Sequence, residues 1–262
     1  SPVALDIAML QKIYGANTTY HRGNNIYDIP DNDDAWMSIW DTGGTDTIRY
    51  SGLKDVTIDL REATLIYGEG GGGFISAADG VAGGYTIANG AVIENATGGS
   101  GNDTIAGNQA NNFLIGNAGN DVLTGLDGND TLRGGSGNDS LFGGDGDDYL
   151  YVDSFDAVIS GGAGYDRLFA EAGSLGLTIN LGTSSIEFAR GSAFGDSLNG
   201  SSASEALKIW GNGGIDFITG SAYADYINGG AGNDTIVGGD GTDTLNGGDG
   251  DDTLIGGQGD VM

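Results

Sequence analysis

Gly98-Gly99-Ser100-Gly101-Asn102-Asp103-Thr104-Ile105-Ala106 opens a nine-residue phrase that the chain then repeats. Further copies stand at Gly116–Thr124, Gly125–Arg133, Gly134–Phe142, Gly143–Tyr151 and Gly161–Phe169, then at Gly191–Asn199, Gly211–Thr219 and Gly220–Asn228. Three more run without interruption from Gly229 to Ile255. Glycine leads, an acid holds position six, and Leu or Ile holds position eight. Positions one to six read as a turn, because glycine reaches backbone angles with φ > 0 and leaves room for carbonyls to point at one centre. Positions seven to nine read as a short strand whose middle residue (Ile105, Leu123, Leu132, Leu141, Leu150, Leu168) points inward. A disordered Gly/Asp-rich linker has no reason to keep an aliphatic residue at position eight of a strict period.

The phrase resembles the calcium-binding nonapeptide of RTX proteins. That resemblance implies an all-β fold, a parallel β-roll in which two phrases make one coil and equivalent turns stack about 4.8 Å apart. It also implies several calcium ions, since calcium is a hard cation that takes six to eight oxygens. Stacked carboxylates about 5 Å apart repel by roughly 3 kcal/mol at an effective dielectric of 20. Two buried aliphatic side chains per coil do not offset that repulsion together with the entropy of ordering the coil. A metal-free roll is therefore expected not to fold, and ion binding is expected to be coupled to folding.

Within the roll, the resemblance assigns each ion carbonyls from positions two and four of one phrase and from positions one and three of the phrase two further on. Both position-six carboxylates complete the set. One ion would sit among Asn117, Gly119, Asp121, Gly134, Ser136 and Asp139. The next would sit among Leu126, Gly128, Asp130, Gly143, Asp145 and Asp148. Carried along the repeats, candidate position-six ligands are Asp103, Asp166, Asp196, Asp216, Asp225, Asp234, Asp243 and Asp252, in addition to those four. Candidate carbonyls are those of Gly116, Gly125, Gly161, Gly229, Gly238 and Gly247 at position one, and Gly99, Gly135, Gly144, Gly230 and Gly239 at position two. At position three they are Ala118, Asp127, Ala163, Ala231, Asp240 and Asp249, and at position four Gly101, Gly137, Gly146, Gly232 and Gly241. Gly107–Ile115 has Asn112 at position six, and Val152–Ser160 has Ala157 there with no leading glycine, so sites touching them are expected to be weak or missing.

Ahead of the repeats the resemblance narrows. Asp6-Ile7-Ala8, Gln11 and Tyr14-Gly15-Ala16-Asn17 are similar to the helix joining catalytic and calcium domains in serralysins, secreted bacterial zinc metallopeptidases. Ile39-Trp40-Asp41-Thr42-Gly43-Gly44-Thr45-Asp46-Thr47-Ile48 and Val92-Ile93-Glu94-Asn95-Ala96-Thr97 are similar to that family's approach to the roll. The likeness implies two further sites. One would use Asp41 and Asp46 with carbonyls of Gly43, Gly23, His21 and Asn25. The other would use Asp46 and Glu94 with carbonyls of Gly44 and Val92. His21 stands where the family usually has arginine, and only its carbonyl is asked for.

The expected organisation is a linking helix over 1–17, where Ser1-Pro2 reads as a helix start. A serralysin-like β lead-in over 18–97 and a first roll block over 98–169 follow, then a second lead-in over 170–190 and a second block over 191–262. The second lead-in rests on grammar: Leu177-Thr178-Ile179-Asn180-Leu181, then Ile186-Glu187, then Gly191 repeats Val56-Thr57-Ile58-Asp59-Leu60, then Ile93-Glu94, then Gly98. Glu187 and Asp166 would then share a calcium, as Glu94 and Asp46 do. The stretch from Tyr67 to Gly84 is expected to be a mobile surface loop. A bulge is expected over Gly200–Trp210, two residues too long for a phrase, with Glu205 at position six.

Composition limits the partners. With 37 acids against 9 bases, a net charge of −28 and no cysteine, the chain is unsuited to nucleic acid or anionic membranes and cannot be held by disulfides. No apolar run is long enough to span a bilayer. Its single histidine, His21, cannot build the family's zinc site, so no catalysis is expected of this chain. Trp36, Trp40, Trp210 and the tyrosines read as core or strand cover, and the nine bases look scattered. Both ends read as cut: the chain starts at Ser1 and stops mid-phrase, without the family's usual export signal. The expectation is a monomeric, secreted bacterial calcium module, exported by a type I apparatus behind an upstream domain, with a zinc peptidase as the implied parent. The alternative is an adhesin or polysaccharide-binding roll, which an aromatic or basic stripe along one sheet would favour; the linear sequence shows no clear one.

Overall fold

The computed structural model describes residues 21–31, 36–64 and 73–262, so the helix expected at 1–17 lies outside the described residues. The chain divides after Ser140 into two compact units. Each forms parallel β-roll, because alternation of one inward aliphatic between two outward residues is a strand pattern and the glycine turns return the chain every nine residues.

In the first unit one sheet runs β1 (Ile26–Asp28), β3 (Thr47–Arg49), β7 (Asn95–Thr97), β9 (Phe113–Ala118) and β11 (Thr131–Ser136), all parallel. The facing sheet takes β8 (Thr104–Ala106) between β10 (Val122–Asp127) and β4 (Val56–Asp59), with β5 (Ala77–Ala78) antiparallel at its edge. A separate parallel pair joins β2 (Trp36–Ile39) to β6 (Gly84–Ile87). The inward row is fully buried, with Ile48, Ile58, Leu114, Leu123 and Leu132 at 0% exposure.

β12 (Ser140–Asp145) leads into the second unit and pairs with β14 (Val158–Ala163). There the long parallel ladder is β13 (Tyr149–Val152), β15 (Arg167–Ala170), β17 (Phe188–Arg190), β19 (Lys208–Gly213), β21 (Tyr226–Ala231) and β23 (Thr244–Asp249). The facing ladder is β16 (Thr178–Asn180), β18 (Ser197–Asn199), β20 (Phe217–Thr219), β22 (Thr235–Val237) and β24 (Thr253–Ile255). Its one helical turn, α1 (Leu181–Ser184), starts on Asn180, whose side chain accepts from the Thr183 amide, and ends on left-handed Ser185. No helix among the described residues is long and apolar enough to cross a membrane.

One local expectation is corrected, and a second is made specific. Of the stretch expected to be a mobile loop, residues 67–72 lie outside the described residues; the rest carries β5 and, at its end, the start of β6. Within the described part Ser76 is 1% exposed and exchanges hydrogen bonds with the Asp59 backbone through its hydroxyl, so buried polar pairing anchors the chain there. At Gly200–Trp210, Glu205 is exposed and does not take the place of a position-six acid. Buried Leu207 does: its side chain lies against Gly200 and its amide donates to Asp225 Oδ1 at 2.6 Å.

Candidate metal sites

Each regular turn places its aspartate in the same way. Oδ1 accepts the amide of the equivalent residue one coil earlier, eighteen residues away: Asp103 to Asp121 at 2.7 Å, Asp121 to Asp139 at 2.8 Å, Asp148 to Asp166 at 2.9 Å. Asp216 to Asp234, Asp225 to Asp243 and Asp234 to Asp252 repeat this at 2.9 Å. Oδ2 turns the other way and packs on the position-one glycine, beside the position-one carbonyl of the next coil. A Cβ on Gly116 would collide with Asp121 Oδ2 and stand 2.6 Å from the Gly134 oxygen, and one on Gly229 would meet Asp234 Oδ2 and the Gly247 oxygen likewise. In Asp121, Asp166, Asp216, Asp234 and Asp243 this buried oxygen has no hydrogen-bond partner among the described residues.

The backbone supplies the other oxygens. Position two has positive φ in the regular turns, as at Asn117 (83°), Leu126 (84°) and Gly230 (114°), and position four does too, as at Gly119 (124°) and Gly232 (142°). Position-three carbonyls of Ser136, Ala163, Ala231 and Asp249 each accept the amide of a position-four glycine at 2.7–3.0 Å, from Gly119, Gly146, Gly214 and Gly232. The side chains of Asp127, Asp145, Asp240 and Asp249 are exposed, so only backbone faces inward there. Asn117, Gly119, Asp121, Gly134, Ser136 and Asp139 are brought onto adjacent coils of the first unit. The set of Leu126, Gly128, Asp130, Gly143, Asp145 and Asp148 divides between the units, and each half has the regular form within its own.

Burial raises the pKa of these acids, and neighbouring acids add to it. Asp121, Asp166 and Asp216 are pushed up to about 7, and Asp46 and Asp130 to about 6, despite amide hydrogen bonds that favour the anion. Asp103, Asp196, Asp225, Asp234, Asp243 and Glu187 are raised for the same leading reason. An anionic oxygen that lacks a donor and faces a carbonyl oxygen calls for a cation. Among the described residues no three His, Asp or Glu side chains gather, so the donors are mainly carbonyls with carboxylate between coils. That all-oxygen set fits calcium.

Some turns are closed by protein instead. Ser192 and Ser221 hold position two; each hydroxyl bonds the position-six aspartate (3.0 Å to Asp196 Oδ1, 2.9 Å to Asp225 Oδ1) and accepts the position-four amide at 3.0 Å. In the phrase at Gly107, Asn112 Nδ2 donates to the Glu94 carbonyl at 3.0 Å. Asn108 Nδ2 donates to the carbonyls of Leu60 (3.1 Å) and Ile93 (2.8 Å). These turns lack both the left-handed position two and an unpartnered buried carboxylate oxygen. Gly99 also lacks positive φ, and its amide donates to Asp103 Oδ2 at 2.6 Å. A hydroxyl or carboxamide at position two is the signal that a reading focused on position six passes over.

In the first lead-in, Asp46 Oδ1 accepts the Asn25 amide at 2.7 Å, Oδ2 is buried without a hydrogen bond, and the Asp46 amide donates to Glu94 Oε2 at 2.8 Å. A Cβ on Gly44 would stand 2.5 Å from the Gly23 oxygen and 3.0 Å from Asp46 Oδ1, so those oxygens converge. Asp41 is buried and accepts from the Gly43 amide at 3.1 Å and from the Tyr27 hydroxyl at 2.6 Å, while the His21 carbonyl accepts the Thr42 amide at 3.3 Å. In the second lead-in, Glu187 Oε2 accepts the Asp166 amide at 2.8 Å, the same bond that Glu94 makes. The Ser185 carbonyl and Asp166 Oδ2 both lie against Gly161. Ser185 precedes Glu187 by two residues, as Val92 precedes Glu94, yet it is absent from the sequence-based set.

The family model of the RTX calcium-binding nonapeptide repeat matches residues 97–132, 124–157, 151–174, 210–245 and 232–260. Serralysin B of Dickeya chrysanthemi is 38% identical over 113 residues, covering 38% of this chain and 21% of that protein. The serralysin of Photorhabdus luminescens is 39% identical over 114 residues (38% and 21%), and metallopeptidase AprA of Pseudomonas marginalis 35% over 113 (38% and 22%). The chain thus spans about a fifth of the length of these relatives. It carries RTX calcium-binding repeats folded as a parallel β-roll and resembles the serralysins.

Proposed function

We propose that this chain is a module whose folding is driven by calcium, serving the export and stability of a larger secreted bacterial protein. The observation that carries the reading is the recurrent Oδ2 of Asp121, Asp166, Asp216, Asp234 and Asp243, buried and without a hydrogen-bond partner. The cation supplies the positive partner those oxygens lack, and the turn residues orient the oxygens around it. Binding free energy then becomes folding free energy. Inside a calcium-poor cell the chain stays unfolded and passes a type I export channel. Outside, at the roughly 10⁻⁴–10⁻³ M affinity usual for extracellular calcium modules, it folds. The parent we infer is a zinc peptidase, supported by the likeness to serralysins, with this chain as its non-catalytic part. The sequence upstream in the parent gene tests that inference: absence of a zinc-peptidase motif ends it.

The folding test is circular dichroism. In excess chelator the chain should be largely unordered, and β signal should appear cooperatively with calcium. Magnesium should substitute poorly, because it demands tighter octahedral geometry and gives up water reluctantly. A fully formed roll in chelator would refute the coupling.

A further inference from the structure

We propose that the outer face of the β13–β21 ladder binds an acidic glycan, a chain of uronic-acid sugars laid across the strands. The strand register sets two outward rows beside the buried Leu150, Leu168, Ala189, Ile209 and Ile227. The first row reads Tyr149, Arg167, Phe188, Lys208, Tyr226, and the second Tyr151, Phe169, Arg190, Trp210, Asn228. On three successive strands, then, one outward position is a base and the other an aromatic, in alternating order. The rings touch diagonally: Tyr149 to Phe169 at 6.0 Å between centroids, Phe169 to Phe188 at 5.4 Å, Phe188 to Trp210 at 4.9 Å, and Trp210 to Tyr226 at 5.4 Å. This is the aromatic and basic stripe that the linear sequence hides.

Charge identifies the partner. The chain has 9 Lys and Arg, and within 141–262 these are Arg167, Arg190 and Lys208 alone, all on this face. In the first unit Arg49, Lys54 and Arg61 are each bridged to an aspartate. Among the described residues none of the three bases on the aromatic face is in a salt bridge, and Arg190 and Lys208 are exposed. Arg167 instead lies 5.0 Å from the Tyr149 ring and 4.6 Å from Tyr165, and Arg190 Nε donates to Asn212 Oδ1 at 3.1 Å. Cations left without carboxylate partners on an otherwise acidic unit are suited to an anionic ligand.

Shape narrows the ligand further. A cleft of about 490 Å³ adjoins the ladder, lined by Tyr151, Phe169, Arg190 and half-exposed Phe194, with Glu171 and Asn212 as polar groups. A pyranose ring pairs an apolar face with hydroxyls and advances a glycan by about one strand spacing, about 4.8 Å. Aromatic contact with bound water-loving rings and charge-assisted bonds to carboxylates then recur strand by strand. Nucleic acid is disfavoured, since a net charge of −28 opposes its dense phosphates. The next strand out, β23, carries Thr244 and Asn246 in these rows, which shows that the fold itself has no need of aromatics there.

The test is calorimetric titration of the calcium-loaded full chain with a galacturonic acid hexamer at fixed free calcium. The comparison ligands are the methyl-esterified hexamer, cellohexaose and a thymidylate decamer. The acid hexamer should bind, more weakly as salt rises, and the ester should bind at least about tenfold more weakly, a difference of 1.4 kcal/mol. The double variant Arg190→Gln/Lys208→Gln should lose a similar factor, with its calcium-induced dichroism unchanged. Trp210→Ala should also weaken binding; if it does not fold, the double variant still decides. Four results overturn the proposal: no heat from the acid hexamer at millimolar concentration, equal binding of the ester or cellohexaose, equal binding of the thymidylate, or full affinity in the double variant.

Discussion

At position one of the regular turns glycine is required because a carboxylate oxygen and a carbonyl oxygen occupy the space a Cβ would fill. Gly229→Ala would drive a methyl into Asp234 Oδ2 and the Gly247 oxygen. Overpacking of this kind costs about 1–3 kcal/mol, so the calcium concentration at half-folding should rise several-fold by circular dichroism. Gly213→Ala is the control, because its nearest neighbours stand 3.7 Å or more away and its φ is not positive; its midpoint should stay put. Asp216→Asn separates charge from hydrogen bonding. The Asn oxygen can still accept the Asp196 amide, now 2.7 Å from Asp216 Oδ1, but the buried charge is gone. In calcium the variant should need about tenfold more ion, near 1.4 kcal/mol. In chelator it should be no less stable than the parent, since it removes an unpaired buried anion. Destabilisation in chelator and none in calcium would show that the carboxylate is not a ligand.

The two lead-ins share one device at the scale of elements. A buried isoleucine, Ile93 or Ile186, precedes a glutamate that accepts the amide of a turn aspartate, and a strand with a small inward alanine, Ala96 or Ala189, follows. The coil offset lengthens there, to 48 residues at Glu94 and 21 at Glu187, against 18 in the regular roll. The glutamate's longer side chain reaches the amide that an aspartate reaches elsewhere. Glu187→Gln keeps an oxygen for the Asp166 amide while removing the charge. If Glu187 and Asp166 share a calcium, as we propose, the variant should lower the ion count by one and raise the folding midpoint. An unchanged count by calorimetry would leave Glu187 only as a cap. The turns closed by Ser192, Ser221 and Asn108 should behave oppositely: Ser221→Ala removes the hydroxyl from Asp225, so it should destabilise the roll by about 1–3 kcal/mol.

Across the whole molecule the buried acids link stability to pH. Asp121, Asp166 and Asp216 have pKa values raised from 3.8 to about 7 by burial first and by neighbouring acids second. A raised acid favours the protonated fold. Its contribution to the metal-free roll is fully present below about 3.8 and is lost as pH rises through about 7. In chelator, β signal should therefore grow as pH falls from 8 to 5. Calcium competes with those protons, so its folding midpoint should move to lower concentration as pH rises over the same range. Parallel rather than opposite trends would contradict one of the two statements, and the direction shared would show which.

The nine-residue period by itself determined the parallel roll, the inward aliphatic row and the position-six carboxylates, because turn conformation and strand alternation are set within a single phrase. The repeated grammar around Glu94 and Glu187 made the matching hydrogen bonds to Asp46 and Asp166 foreseeable for the same reason. Tertiary structure alone decided what depends on neighbours one coil away. Whether a turn leaves an oxygen without a donor rests on the position-two side chain, so Ser192 and Ser221 close turns whose aspartates look regular in the sequence. Ser185 joined the Asp166 turn only through its left-handed backbone at the end of α1. The stripe of Phe169, Phe188, Arg190, Lys208 and Trp210 was invisible for a geometric reason: these residues lie 18 to 22 positions from their partners across the ladder, and only stacking of the coils sets them side by side.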